Sequence, residues 1–209
     1  MKLLVVGATG GLGKELVGRA LGQGHEVTVL VRDPARLEAR DEHLRVVRGD
    51  VLDPASVESA VREQDAVVSA LGTPSPRKPS TLLSEGTKNI VEAMERQGVR
   101  RLVCVTILGT GESGRRHGSL FYRHFVLGFA VRPMLEDKEH QEEVIRRSNL
   151  EWTIVRPPRY TDEPRGGGYQ VIADGGGRVG KMGRADLADF MLDQLDDHSY
   201  VRKAVVIGY

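Results

Sequence analysis

A glycine-rich turn directly after a short apolar run constrains this chain more than any other feature. Residues 2–6 read Lys-Leu-Leu-Val-Val, which is typical of a buried parallel strand, and residues 7–13 continue as Gly-Ala-Thr-Gly-Gly-Leu-Gly. In such a motif Gly7 allows a tight turn, Gly10 lets the backbone approach a pyrophosphate, and Gly13 lets the next helix pack closely on the strand. The pattern predicts a nucleotide-binding turn.

The residues after the turn supply the context that the motif requires. Residues 14–21 are predicted to form a helix and residues 25–31 a second strand, which completes a β-α-β unit. The first-turn N–H groups of that helix and its dipole would face the phosphates of a bound nucleotide. A glycine-rich turn that binds nothing is the alternative, and the surrounding β-α-β unit makes it the weaker one.

Composition narrows the classes of function. The chain has 209 residues, which suits one domain over residues 1–209, and its net charge of +1 makes nucleic acid and membrane unexpected partners. The single cysteine, Cys104, excludes an internal disulfide and a cysteine-based metal cluster and is predicted to be an inert buried thiol, and no metal is expected. No signal peptide or membrane-spanning run is recognisable, so a cytoplasmic location is expected.

The residues that follow the second strand bear on the choice of cofactor. Arg32 stands about 20 residues beyond the glycine turn, where an acidic residue would bind a ribose 2′-hydroxyl and an arginine would bind a 2′-phosphate. A guanidinium matches a phosphate in two-point geometry, so NADPH is favoured, with a solvated loop arginine as the alternative. Asp33 precedes Pro34 and is equally suited to capping the next turn.

The rest of the chain alternates between strand and helix patterns. Predicted strands cover residues 44–47, 65–70, 102–107, 152–155 and 204–207, and predicted helices cover residues 55–61, 81–97, 136–147 and 186–195. This alternation predicts an α/β fold of the Rossmann type, a doubly wound parallel sheet in a single domain. Leu71, Gly72 and Thr73 leave the fourth strand at the edge where such sheets bind ligands, so they are expected beside the ribose and nicotinamide of the cofactor.

Two less regular regions, around residues 109–135 and 157–180, are expected to form a small substrate side of the domain. The first contains Phe121, Phe125 and Phe129, which are three of the four phenylalanines. Such clustering suggests a substrate wall or lid. A short helix that packs on the body of the protein or takes part in a dimer contact is an equal alternative.

Several motifs together resemble those of the atypical short-chain dehydrogenase/reductases that have an NAD(P)H-binding domain, and within that group the flavin reductases, also called biliverdin reductases B. The motifs are residues 7–13, 31–33, 49–51, 71–73, 84–90, 152–157 and 184–187. The resemblance implies that Gly7, Thr9, Gly10, Gly11, Leu12 and Gly13 hold the pyrophosphate, that Arg32 and Arg36 bind the 2′-phosphate, that Asp50 and Val51 contact the adenine, and that Leu71, Gly72, Thr73 and Pro157 complete the cofactor site.

The chain departs from this group at the positions that would carry acid chemistry. Ordinary short-chain dehydrogenases use a serine and a Tyr-x-x-x-Lys pair, in which the lysine lowers the pKa of the proton-donating tyrosine. Met134 occupies the tyrosine position ahead of Lys138. The serine that flavin reductases carry after the fifth strand aligns with Ile107, which leaves Thr106 as the adjacent hydroxyl, and their histidine after Pro-Pro aligns with Arg159.

These features favour an NADPH-dependent reductase that transfers hydride to a planar conjugated acceptor such as a flavin, a quinone or a linear tetrapyrrole. The flavin would be a substrate and not a bound prosthetic group. Lys138 and Arg159, with Arg132 as a further candidate, would bind the acceptor, and Thr106 would orient the acceptor or the nicotinamide. The alternative is a non-catalytic NAD(P)-sensing regulatory protein of the same superfamily. A monomer or a homodimer is expected in either case.

Overall fold

A computed structural model describes residues 1–110, 132–173 and 178–209. The strands are β1 (Lys2–Val6), β2 (Glu26–Val31), β3 (Leu44–Arg48), β4 (Ala66–Ser69), β5 (Arg101–Val105), β6 (Glu151–Arg156), β7 (Arg159–Thr161), β8 (Gln170–Ile172), β9 (Lys181–Gly183) and β10 (Lys203–Gly208). Within the described ranges the chain forms an eight-stranded sheet with the strand order β3-β2-β1-β4-β5-β6-β10-β8, and β7 pairs with β9 in a separate two-stranded sheet.

All pairings in the large sheet are parallel except that of β8 with β10. The described α-helices are α1 (Gly11–Gly22), α2 (Pro54–Val61), α3 (Leu82–Gln97), α4 (Arg132–Arg147) and α5 (Arg184–Asp193). The predicted doubly wound Rossmann-type fold is therefore confirmed. Since β1 pairs with both β2 and β4, the chain reverses its direction of winding beside β1, and this switch point is where open parallel sheets bind ligands.

The two faces of the sheet are covered by two separate hydrophobic layers. Leu3 and Val5 of β1 pack in the layer that contains apolar residues of α1 and α5, whereas Leu4 and Val6 pack in the layer that contains those of α2 and α3. All four side chains are 0–2% exposed. Burial on both faces explains why this strand is an unbroken apolar run and not an alternating one.

The structure changes the predicted elements mainly at their ends. The first helix begins inside the glycine motif, at Gly11 and not at Lys14, and α4 begins at Arg132, four residues before the predicted Glu136. Proline is tolerated in the first turn of a helix, so Pro133 does not prevent this earlier start. The parallel pairing of β7 with β9 is not recognisable in the sequence, because each strand is only three residues long.

Two predicted features fall partly or wholly outside the described residues. The phenylalanine-rich segment lies in residues 111–131, and part of the second substrate-side region lies in residues 174–177, so the structure does not test either. Among the described residues, no helix is long and apolar enough to cross a membrane.

Candidate cofactor site

A cavity of about 300 Å³ opens at the carboxyl ends of β1, β2 and β4, on the β1–β4 switch point. It collects residues from four separate loops of the chain. Of the predicted cofactor residues, the following line it: Gly7, Thr9, Gly10, Arg32, Arg36, Asp50, Val51, Leu71, Gly72 and Thr73.

The three motif glycines of the turn differ in what surrounds them. A methyl group on Gly7 would lie 2.4 Å from the carbonyl oxygen of Ala70, and one on Gly13 would lie 2.1 Å from the carbonyl oxygen of Gly7. Gly7 also has a φ of +84°, which disfavours other residues. By contrast, a methyl group on Gly10 would meet only the Gly7 carbonyl oxygen, at 3.4 Å. Gly7 and Gly13 are therefore required by packing, whereas the missing side chain of Gly10 leaves space in the cavity.

The amino terminus of α1 faces this site without a competing acid. Gly10 is the N-cap residue, no side chain accepts a hydrogen bond there, and the first turn contains no acidic residue. The first N–H groups of a helix have no partner within the helix, and its dipole favours an anion at this end. The uncapped terminus and the space above Gly10 fit the pyrophosphate of a dinucleotide.

Arg32 and Arg36 are exposed on the same side of the cavity, after β2. Within the described residues neither guanidinium is paired with a carboxylate. The neighbouring Asp33 is occupied, because its carboxylate accepts a hydrogen bond from the Ala35 N–H at 3.1 Å and caps the short 3₁₀-helix Pro34–Arg36. Of the two roles open to Asp33 in the sequence, the structure assigns that of a cap.

Asp50 and Val51 form a further wall of the cavity, and α3 packs against Val51. The side-chain amide of Asn89 donates to the Val51 carbonyl oxygen at 3.0 Å, and the Leu52 N–H donates to the Asp50 carboxylate, also at 3.0 Å. A methyl group on Gly86 would lie 2.9 Å from a Val51 methyl group. Gly86 and Asn89, two residues of the 84–90 motif, therefore position this wall without lining the cavity, a role that the sequence did not reveal.

Four of the predicted cofactor residues do not line the cavity. Leu12 is 6% exposed and belongs to the core, and Gly13 packs against the turn itself. Pro157 is buried after β6, where its carbonyl oxygen accepts a hydrogen bond from the Leu108 N–H at 2.8 Å. Pro157 therefore fixes the chain that leaves β5, and its predicted contact with the cofactor stays a prediction. Gly11 also lies outside the lining, at the start of α1.

A buried polar network fills the space beside the ends of β5 and β6. Glu142 on α4 is 4% exposed and accepts hydrogen bonds from the hydroxyls of Thr106 at 2.7 Å and Thr110 at 2.6 Å. Arg156 donates to both oxygens of the same carboxylate, with its Nε at 2.9 Å from one of them. Burial alone would raise the pKa of Glu142, but the bonds and charge of Arg156, together with the two hydroxyls, bring that pKa below its usual value.

Thr106 differs from its predicted role. It is 1% exposed and its hydroxyl is committed to Glu142, so the structure does not present it to an acceptor or a nicotinamide. The residues at the end of β5 do not by themselves reveal this partner, because Glu142 stands 36 positions later in the chain.

Lys138 is also placed differently from the prediction. Its side chain is buried, and Nζ donates to the Val105 carbonyl oxygen and to Gln141 Oε1, each at 3.3 Å. Burial lowers its pKa. Lys138 is only 5% exposed, so its ammonium group is not presented at the surface, and its predicted binding of the acceptor stays a prediction.

The remaining catalytic candidate, Arg159, is exposed at the start of β7 and is not part of the Glu142 network. Met134 is partly buried and packs against the core layer of α2 and α3. Cys104 is fully buried, and its burial raises the pKa of the thiol to about 11, which agrees with the predicted inert thiol. The structure therefore brings Thr106 and Lys138 into the interior and leaves Arg159 alone at the surface.

A second residue that sequence reasoning missed is Asp137. Its carboxylate is 4% exposed and accepts hydrogen bonds from the N–H groups of Leu83 at 2.9 Å and Ser84 at 3.0 Å. These N–H groups begin α3, whose own N-cap residue Thr81 makes no such bond. Asp137 thus caps a helix more than fifty residues away and ties α4 to α3.

Comparison with known proteins agrees with an NAD(P)H-binding function. Among curated relatives, the photosystem II assembly factor Ycf39 of Synechocystis is 28% identical over 75% of this chain and 44% of its own length. A (4-alkanoyl-5-oxo-2,5-dihydrofuran-3-yl)methyl phosphate reductase of Streptomyces griseus is 32% identical over 74% of this chain and 46% of its own length. The chain thus spans less than half the length of these relatives.

A solved structure with the same fold is that of ChuY, an anaerobilin reductase from Escherichia coli O157:H7. It superposes with a TM-score of 0.82 at 22% identity and covers 100% of this chain and 97% of its own. Residues 7–198 match the NAD(P)H-binding family, a range that runs from the first glycine of the turn to beyond α5. The chain belongs to the NAD(P)H-binding family of Rossmann-fold proteins.

Proposed function

We propose that the protein is an NADPH-dependent reductase that transfers hydride to a planar conjugated acceptor such as a flavin, a quinone or a linear tetrapyrrole. One observation carries the proposal: an open cavity is lined by the glycine turn, Arg32 and Arg36, whereas the Thr106 hydroxyl and the Lys138 ammonium group are bonded inside the protein.

The cofactor is inferred from the family and from the charge of the cavity. The family is NAD(P)H-binding, and the two exposed guanidiniums of Arg32 and Arg36 on one wall of the cavity favour the form with a 2′-phosphate. Bound there, NADPH would supply a hydride. Gly10 would leave room for its pyrophosphate, the Asp50–Val51 wall would contact the adenine, and residues 71–73 would lie beside the nicotinamide ribose.

The class of acceptor is inferred from the source of the proton that follows the hydride. Met134 on α4 and Ile107 after β5 occupy the positions of the tyrosine and the serine of related enzymes, and neither has an ionisable proton. The neighbouring Thr106 hydroxyl donates to Glu142. Loss of a positioned acid costs about 10²–10⁴-fold in rate for reactions that need one. A conjugated acceptor spreads the charge that arrives with the hydride, so water can deliver the proton afterwards. This favours a planar conjugated acceptor over a simple ketone.

The names of similar proteins are consistent with reduction of an organic acceptor. The Streptomyces griseus relative is named as a reductase of a furanone phosphate, and the superposed Escherichia coli protein is named as an anaerobilin reductase. Arg159 is exposed, so its guanidinium is available to bind a phosphate or carboxylate of the acceptor.

A non-catalytic NAD(P)-sensing protein is the second candidate. Two observations favour it: Thr106 and Lys138 are committed to internal bonds, and the Synechocystis relative is named as an assembly factor and not as an enzyme. In this case the cavity would bind the same cofactor without turnover.

The two candidates separate in a steady-state assay of NADPH oxidation with FMN, riboflavin, a quinone and biliverdin. Turnover above the protein-free background with at least one acceptor supports the reductase, and tight NADPH binding without turnover on any of the four supports the sensor. Arg159→Ala should raise the KM for FMN more than the KM for riboflavin, because riboflavin lacks the phosphate and serves as the matched control.

A further inference from the structure

Arg184, the first residue of α5, lies against Gly11, the first residue of α1. The site described above gives Arg184 no role. A methyl group built on Gly11 would lie 2.9 Å from Arg184 Nε and 3.4 Å from Arg184 Cζ. The missing side chain of Gly11 therefore leaves room for a cation at the beginning of α1. This is a different use of a motif glycine from that of Gly10, which leaves room toward the cavity.

The approach of these two groups is electrostatically unfavourable by itself. The amino terminus of α1 carries the positive end of the helix dipole and has no capping side chain and no acid in its first turn. A guanidinium beside it adds a full positive charge. Such a pair is stabilised when an anion lies between the two, since both then donate to it.

In this structure the charge of Arg184 is paired with a carboxylate that does not line the cavity. Its Nη1 pairs with Asp162, and its Cζ lies 5.4 Å from the centre of the Tyr160 ring. The Asp162 side chain is 86% exposed, whereas that of Arg184 is 26% exposed. A carboxylate so well solvated holds its partner weakly, so another anion can replace it at little cost.

The backbone explains why these two residues meet. β7 and β9 are parallel and Thr161 pairs with Gly183, so Asp162 and Arg184 each stand one residue beyond the same end of the pair. Two residues further along α5, the Asp186 carboxylate accepts hydrogen bonds from the Gly166 and Gly167 N–H groups at 3.1 and 3.2 Å. The chain around Asp162 is thus anchored on both sides, to β9 before this residue and to α5 after it.

We propose that Arg184 binds the pyrophosphate of the dinucleotide together with the amino terminus of α1, and that Asp162 is an internal competitor that holds Arg184 until the cofactor arrives. The inference rests on the dinucleotide site of the proposed function and is independent of which acceptor is reduced. Arg184 would then bind the pyrophosphate of the cofactor, whereas Arg32 and Arg36 would bind its 2′-phosphate.

Binding measurements with three ligands and the full chain test this assignment. NADPH and 2′-phospho-ADP-ribose contain the pyrophosphate, whereas adenosine 2′-monophosphate contains only the phosphate that Arg32 and Arg36 would bind. Arg184→Met keeps an unbranched side chain and removes the charge. It should raise the Kd of the first two ligands by about 10- to 100-fold and leave that of adenosine 2′-monophosphate unchanged, because charged hydrogen bonds to the bridge are lost.

The competitor makes a prediction of opposite sign. Asp162→Asn should lower the Kd of NADPH severalfold, and this gain should vanish when Arg184→Met is also present. The nearby ion pair Lys181–Glu163, whose side chains are 42% and 48% exposed, joins the same two parts of the chain and offers a control. Lys181→Met and Glu163→Gln should leave all three dissociation constants unchanged.

Each outcome bears on the assignment. An unchanged Kd of NADPH in Arg184→Met, or an equal loss for all three ligands in a variant that melts at the parental temperature, overturns the role of Arg184. Tighter binding in Asp162→Asn that persists without Arg184 overturns the competition. A parent protein that binds no dinucleotide overturns the proposed function as well, whereas a parent that binds NADPH and is indifferent to Arg184 overturns this inference alone.

Discussion

The two halves of the carboxyl edge of the sheet use their polar residues in opposite ways. On the β1–β4 side, Arg32 and Arg36 are exposed around an open cavity, and the amino terminus of α1 has no capping side chain. On the β5–β6 side, Glu142 and its partners Thr106, Thr110 and Arg156 satisfy one another in the interior. Unmatched polar groups around a cavity point to a ligand, and matched groups in the interior point to structure.

Gly10→Val is expected to have the largest effect on the open side. The Cβ of a valine would meet only one backbone oxygen, at 3.4 Å, and its methyl groups would occupy space that the pyrophosphate needs, so NADPH binding should be lost and stability should change by only about 1 kcal/mol. Isothermal titration and chemical denaturation measure the two effects. Gly18→Val on the exposed side of the same helix, where a methyl group would meet nothing, is the control. Undiminished NADPH binding would remove the cavity from consideration as the cofactor site.

The corresponding test of the buried side is Glu142→Gln. It leaves the Arg156 guanidinium, whose side chain is 13% exposed, without a charge partner in the interior, and such losses cost about 3–5 kcal/mol. Denaturant unfolding measures this cost. Glu143→Gln, which breaks only the exposed pair with Arg147 on the same helix, should cost less than about 0.5 kcal/mol. Equal effects of the two variants would mean that the network contributes nothing to stability.

Arg32→Ala tests how the open side selects NADPH over NADH. Hydrogen bonds to charged groups contribute about 1.5–3 kcal/mol, so the preference for NADPH over NADH should fall by roughly 10- to 150-fold while NADH binding changes little. Removal of Arg36 should have a smaller effect in the same direction. Arg45→Ala, at the opposite end of the strands, should change neither Kd. If Arg32→Ala weakens both cofactors equally, Arg32 does not bind the 2′-phosphate.

The smallest effect is expected for Thr106→Val. Glu142 keeps its bonds from Thr110 and Arg156, so the loss of one hydroxyl should cost about 1 kcal/mol of stability and slow turnover less than tenfold. Thr110→Val removes a bond to the same oxygen and should behave alike. A hundredfold loss of turnover confined to Thr106→Val would show that this hydroxyl takes part in the reaction and would contradict the separation of the two sides.

Local patterns in the sequence were enough to predict the fold and the residues around the open cavity. The positive φ of Gly7 and the 2.1 Å that would separate a methyl group on Gly13 from the Gly7 carbonyl oxygen are set within the turn itself, and both select glycine. The unbroken apolar run of β1 similarly records burial on both faces of a sheet. Strand order then brings residues after β1, β2, β3 and β4 to one cavity, as the parallel pattern predicts.

Only the tertiary structure decided what the polar residues of the other side do. Whether Thr106 or Lys138 faces a ligand depends on which group satisfies its hydrogen bonds, and for Thr106 that group stands 36 positions away on α4. Asp137, capping α3 from more than fifty positions away, and Arg184, lying against Gly11, are likewise invisible in local patterns. The physical reason is that a side chain's partner is set by packing between distant elements, whereas backbone conformation and burial periodicity are recorded along the chain itself.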